Sequence, residues 1–242
     1  MAETTYQIEV RLRSEAIFSS GEKESNQVQD RVLTDRYGLV YLHAKTLKGQ
    51  LKRQAFWLLE RYRSFDQARA QAFLKAMAVL FGMNGEEASL TGLSPDRRLL
   101  YQPGIMQLGH LALDERLRQY LIGLQDGGGE GLLGPLDLIE AQTHIRTGIQ
   151  LEEGTAKEGR LTTYHTVKPG LTFYATVRFT ADPEPYLDDL QRIICSLKRL
   201  GAGIHRGRGL VDSRLLLNGQ SVPFTSGKGR ETEVHHGMLS GY

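Results

Sequence analysis

Cysteine is almost absent: the 242 residues contain one, Cys195. One thiol excludes an internal disulfide framework and makes a reducing, cytoplasmic setting the default. Long apolar runs are missing as well. Nothing approaches the roughly 18 residues of a membrane span, and residues 1–7 lack the basic-then-apolar order of a secretory signal. An excess of one charge is also lacking. Thirty Lys and Arg stand against 28 Asp and Glu, a formal net charge of +2. Any signal for a polyanionic partner must therefore come from local clustering. The Cys/His spacing of a metal site, a Walker-type phosphate loop and a Gly-x-Ser-x-Gly elbow do not occur. His235-His236 sits in a polar tail and reads as incidental.

What is present is enough apolar residue, 40 %, for one large core. Residues 6–12 alternate, with Tyr6, Ile8, Val10 and Leu12 on one face, which predicts a half-buried strand. Residues 39–42 predict a short strand. Leu47, Leu51, Ala55, Leu58 and Tyr62 recur at helical spacing, and residues 64–80 predict a second helix. Trp57 lies in the first of these helices and is expected in the core. Residues 84–109 read as loop, 111–124 as helix, and 127–134, with five glycines, as a flexible connection. Residues 161–165 and 171–179 predict two strands joined by a turn at Pro169-Gly170. Leu187, Leu190, Ile194 and Leu197 mark a further helix, and residues 210–217 a last strand. Strand, helix, strand-rich middle, hairpin, helix, strand is an α+β order that fits a ferredoxin-like arrangement with long insertions.

Four segments could carry chemistry. Lys45, Lys48, Lys52 and Arg53 crowd the opening turns of the first helix, where the dipole favours anions rather than cations. An incoming phosphate would relieve that conflict; a solvated basic face paired with acids elsewhere would do so equally well. Residues 198–209 combine Lys198, Arg199, Arg206 and Arg208, with His205 as a further candidate, and glycines that allow close backbone approach. The spacing is not the dinucleotide fingerprint, and a helix rather than a strand precedes it. Residues 146–161, opening on Arg146, read as a projecting charged loop. Asp35, in a polar loop, could hold a divalent metal or merely organise a turn; by residue type alone the turn is the commoner role.

These segments occur together, in this order, in the RAMP superfamily, and the chain is similar to the backbone subunits of type III CRISPR effector complexes. Thr46-Leu-Lys-Gly49 resembles the family's small-Ser-Leu-Lys-Gly motif, although His43-Ala-Lys45 departs from the usual preceding Pro-Gly-Ser. Leu80-Phe-Gly82 resembles the Leu-Phe-Gly that follows the helical region. Arg146-Thr-Gly148, Thr155-Ala156 and Gly159-Arg-Leu161 resemble the thumb segment. Residues 201–209 resemble the C-terminal glycine-rich loop. The match spans most of the chain.

The resemblance implies one RRM-like domain over residues 1–242, with residues 83–165 mostly insertions and a thumb hairpin at 143–165. It implies a part in antiviral defence: CRISPR RNA bound by Lys45, Thr46, Lys48, Lys52, Arg53, Arg146, Lys198, Arg206 and Arg208, target RNA paired to it, and similar RAMP subunits alongside, with no membrane. It further implies that Asp35, with Mg²⁺ or another divalent cation, cuts the target RNA, Asp30 being the fallback. Two alternatives stand beside this endoribonuclease reading. One is a structural or capping subunit without cleavage. The other is a metal-independent processing ribonuclease using His43 or His110.

Overall fold

The structure is a computed structural model that describes residues 5–19, 31–94, 96–126, 133–152 and 155–223; between 148 and 162 it describes backbone only. Ser20 to Asp30 and the tail after Pro223 lie outside the described residues, and with them Asp30 and His235-His236.

The alternation of residues 6–12 becomes β1 (Tyr6–Leu12), with Ile8, Val10 and Leu12 fully buried. A two-residue β2 (Tyr41–Leu42) leads into α1 (Ala44–Phe65), whose inward stripe is Leu47, Leu51, Ala55 and Leu59. Asp66 ends α1 and caps α2 (Gln67–Phe81), its carboxylate accepting from the Arg69 N–H at 2.9 Å. The segment expected to be loop contains α3 (Gly85–Leu90), opened by a capping box between Asn84 and Glu87, and β3 (Met106–Leu108). Then come β4 (Leu111–Ala112), α4 (Glu115–Asp126) and α5 (Pro135–Gln142). The chain continues through β5 (Thr143–Glu152), β6 (Thr155–Val167), β7 (Thr172–Phe179), α6 (Leu187–Ser196), β8 (Val211–Leu217) and β9 (Gln220–Ser221).

The main sheet runs β2-β4-β7-β1-β8-β9, with β3 also on β7, and every pairing is antiparallel. Central β1 lies between β7 (Val10 opposite Phe173) and β8 (Ile8 opposite Leu215). With α1 after β1 and α6 between β7 and β8, this is the strand order of a ferredoxin-like, RRM-like core. α1, α2 and α6 contact one another, and α6 packs on β8. Phe18 and Phe173 meet edge to face in the core, their centroids 5.5 Å apart.

Two further expectations need correction. The strands flanking Pro169-Gly170 are real but do not pair with each other. β6 pairs with β5 in a separate two-stranded sheet, whereas β7 joins β1. The turn instead hands the chain to β1: the Gly170 N–H donates to the Leu12 carbonyl at 2.8 Å, and the Leu12 N–H to that of Leu171 at 2.9 Å. Trp57 is not core either. It lies 49 % exposed on the outer side of α1, because the stripe starting at Leu47 already fills the inward side.

Candidate nucleic-acid interface

Helix α1 divides its cations between two jobs. Lys48 Nζ donates to the Met106 carbonyl at 2.9 Å. Lys52 Nζ donates to the Gly82 carbonyl at 2.8 Å and pairs with Glu87. Both amines are half-buried and bind α1 to the chain that follows α2. Burial, and secondarily the Lys52 charge, holds the Lys48 amine below its ordinary pKa. Their partner Gly82 is the last residue of Leu80-Phe-Gly82. Its φ is +77°, and a Cβ there would lie 2.9 Å from backbone atoms of Gln102 and Gly104, so glycine is required.

The other members of the segment point outward: Lys45, Thr46, Gly49 and Arg53 are all exposed. Gly49 is the sixth residue of a 22-residue helix, where glycine costs about 0.5–1 kcal/mol relative to alanine. No atom lies within 4 Å of a Cβ built on it, so packing within the chain does not demand the glycine. The result is a stretch of bare helix backbone between two exposed cations.

The second basic segment closes against residues 14–17. Gly201 (φ +92°) and Gly209 (φ +71°) are obligatory, since a Cβ would lie 2.6 Å from the Ile17 carbonyl oxygen and 2.1 Å from that of Leu200. The Ala202 N–H donates to the Ile17 carbonyl and the Gly209 N–H to that of Glu15. This anchoring brings the loop to the base of the β5–β6 hairpin. Arg208 lies over the Tyr164 ring at 4.7 Å and donates to its hydroxyl. Tyr164 faces Arg146 across the hairpin, and Arg146 forks onto Glu15. That guanidinium holds the Glu15 carboxyl below its usual range. Arg146 and Arg208 therefore come together around Tyr164 and Glu15, which residue types alone did not single out. Lys198 and Arg206 stay exposed.

Asp35 is committed. Its Oδ1 accepts from the Tyr37 and Leu39 N–H groups at 3.0 Å each, and its Oδ2 accepts from Arg118 at 3.0 Å. The turn it closes is clamped from behind by Gln142, which donates to the Gly38 carbonyl and accepts from the Val40 N–H. A divalent cation is a poor fit for a carboxylate already bound by two backbone donors and a guanidinium. Among the described residues no group of three His, Cys, Asp or Glu is placed to ligate a metal.

Asp35 does border an open cleft of about 340 Å³, shared with Tyr41, His110, Glu115 and Arg118. The His43 and His110 rings lie 5.2 Å apart at its edge, with Tyr41 5.3 and 5.2 Å from them. His110 Nδ1 accepts from the Ala44 N–H at 3.0 Å, so Nε2 carries the proton of the neutral ring. On the outer face of the sheet Glu9 takes Arg214 at 2.7 Å, and burial, then the Glu9 charge, raises the Tyr174 phenol. Among the described residues that face does not show the two or three stacked aromatics by which RRM domains hold bases.

The chain matches no protein-family model and no curated protein. It does share its fold with solved structures. One is a chain of the type III-B Cmr-beta complex bound to cognate target RNA, determined by cryo-electron microscopy: TM-score 0.58, 12 % identity, covering 88 % of this chain and 97 % of that one. Another is the apo state of the same kind of complex, at TM-score 0.56 and 10 % identity over the same shares. At such identities the likeness is one of fold. It is the α+β, RRM-like fold already traced through the sheet order. No helix among the described residues is long and apolar enough to cross a membrane.

Proposed function

We propose that the chain is a RAMP-type, RNA-binding subunit of a type III CRISPR effector complex, and that it holds the guide rather than cuts the target. The observation that carries the RNA reading is Gly49. A helix-weakening residue that the chain's own packing does not need stands exposed between Lys45 and Arg53, where a phosphodiester backbone can come close to the helix. The shared fold with Cmr-beta chains supports the assignment to this kind of assembly. In it the β5–β6 hairpin is the thumb, and Arg146, Arg208, Lys198 and Arg206 form a second backbone contact at its root. Asp35 builds the turn before α1 and needs no metal there.

The test is the salt dependence of binding to a single-stranded RNA. Replacing Lys45 and Arg53 together by Gln should weaken binding and lower the slope of log K against log salt by about 1.4, at about 0.7 per lost phosphate contact. Replacing Lys52 by Gln should leave the slope alone and lower stability by about 1–3 kcal/mol, because the Gly82 carbonyl and Glu87 lose their shared donor. An unchanged slope in the Lys45/Arg53 variant removes α1 from the RNA site.

A second reading has its own observation. Two imidazoles 5.2 Å apart beside a cleft are placed to exchange protons with one substrate, as metal-independent RNA cleavage requires. Cutting that survives EDTA and is lost in His43→Ala would establish it. Cutting abolished by EDTA would instead restore the metal-dependent reading.

A further inference from the structure

The geometry points to a longer RNA track than the first turns of α1: we propose that the outer ridge of this helix is a stacking platform for single-stranded RNA, with Trp57 under a base. This rests on the RNA-binding reading above and extends it toward the C-terminal end of the helix. Lys45, Gly49, Arg53, Trp57 and Arg61 are spaced by four and so share one ridge, about 6 Å from member to member at 1.5 Å per residue. None is acidic. The nearby Glu60 is taken by Arg63 at 2.9 Å and leaves the ridge cations uncancelled.

Trp57 is the member that the fold does not explain. An indole 49 % exposed leaves apolar surface in water, and the inward side of α1 is already filled. The Arg61 guanidinium lies over the ring, 5.2 Å from its centroid. About half of the residue's surface is open to a base, and the same guanidinium can meet a phosphate. Phe65, 86 % exposed at the helix end, continues the aromatic surface. A protein partner would be expected to meet an aromatic set among apolar neighbours. Here the ridge neighbours are cations at regular intervals and a glycine, which match a polyanion carrying flat bases. A cationic row with interleaved aromatics is the general solution for unpaired strands, and it tolerates any sequence because every base has a π-face.

Trp57 is the only tryptophan in the chain, so its own emission reports the contact. The experiment titrates the full-length protein with an unstructured single-stranded oligoribonucleotide and with the same sequence as a duplex. Single-stranded RNA is expected to quench the emission and shield it from acrylamide. Trp57→Ala should lose about tenfold or more in affinity, and Trp57→Phe should keep most of it, each factor of ten being about 1.4 kcal/mol. Because the side chain is half exposed, both variants should fold, which circular dichroism checks. Unchanged emission at saturation overturns the proposal, as does wild-type affinity in Trp57→Ala. If Lys45/Arg53 substitution still weakens binding in that case, the RNA reading stands and only the ridge falls. Failure of the wild type to bind any oligonucleotide removes both. Emission that follows protein concentration without RNA would assign the ridge to a second copy and end the proposal.

Discussion

Replacing Gly49 by alanine should move stability and RNA binding in opposite directions. The added Cβ meets no atom within 4 Å, so the full helix-propensity gain of about 0.5–1 kcal/mol is expected with no clash to subtract. For a chain of this length that is a rise of roughly 1–4 °C in melting temperature. A ligand lying against the bare backbone would meet the new methyl group and be pushed away from Lys45 and Arg53. An affinity loss of about tenfold, or about 1.4 kcal/mol, is expected. Gly123 supplies the control. It is also exposed within a helix, α4, and a Cβ there also meets nothing within 4 Å. Gly123→Ala should raise the melting temperature similarly and leave RNA binding untouched. The assays are thermal unfolding by circular dichroism and fluorescence anisotropy with a labelled single strand. A Gly49→Ala protein that melts higher and binds RNA like the wild type would refute the close-approach argument. One that melts lower would refute the open geometry around Gly49.

Asp35→Ala should destabilise the fold by about 1–3 kcal/mol, since two backbone donors and Arg118 lose their acceptor. Urea unfolding measures it, and a complex carrying Asp35→Asn should retain whatever target cutting the wild type shows; loss of cutting with stability kept would return the residue to a catalytic role. His165 supplies a pH signature. Burial, then the Arg31 charge, holds its imidazole below the ordinary value, so as pH falls the unfolded chain takes up the proton first and stability declines. The urea midpoint should drop between about pH 7.5 and about pH 5.5 and drop less in His165→Gln; equal slopes in the two proteins would discount the residue. The ring is partly exposed, so screening keeps the effect small.

Where periodicity was strong, the elements were legible in the sequence. β1, α1, α6 and β8 lie where their apolar spacing put them, because one-sided burial imposes that spacing. Partnership between strands was not legible. The turn at Pro169-Gly170 is a local signal, whereas the pairing of β7 with β1 joins segments more than 150 residues apart. Charge clustering drew attention to α1 but could not divide its cations. Helical phase could have done so: Lys48 and Lys52 each follow a buried leucine, Leu47 and Leu51, and flank the inward stripe, while Arg53 and Trp57 are turned away from it. The turn role of Asp35 was readable from the Gly38 that follows. Its pairing with Arg118, 83 residues on, was not.

The main sheet and the hairpin differ in how they end. Both outermost strands of the main sheet, β2 and β9, are two residues long, so among the described residues neither offers an extended row of free N–H and C=O groups. The hairpin is a ribbon of two long strands. Apart from one bridge between Ala16 and Val167, its pairs among the described residues are internal. Among the described residues, the longest runs of backbone open to templated strand addition, and with it to fibrous aggregation of the isolated chain at high concentration, are the ribbon's flanks. At the base of that ribbon stands the exposed Arg146, held by Glu15, a charge of the kind that keeps a stray strand away.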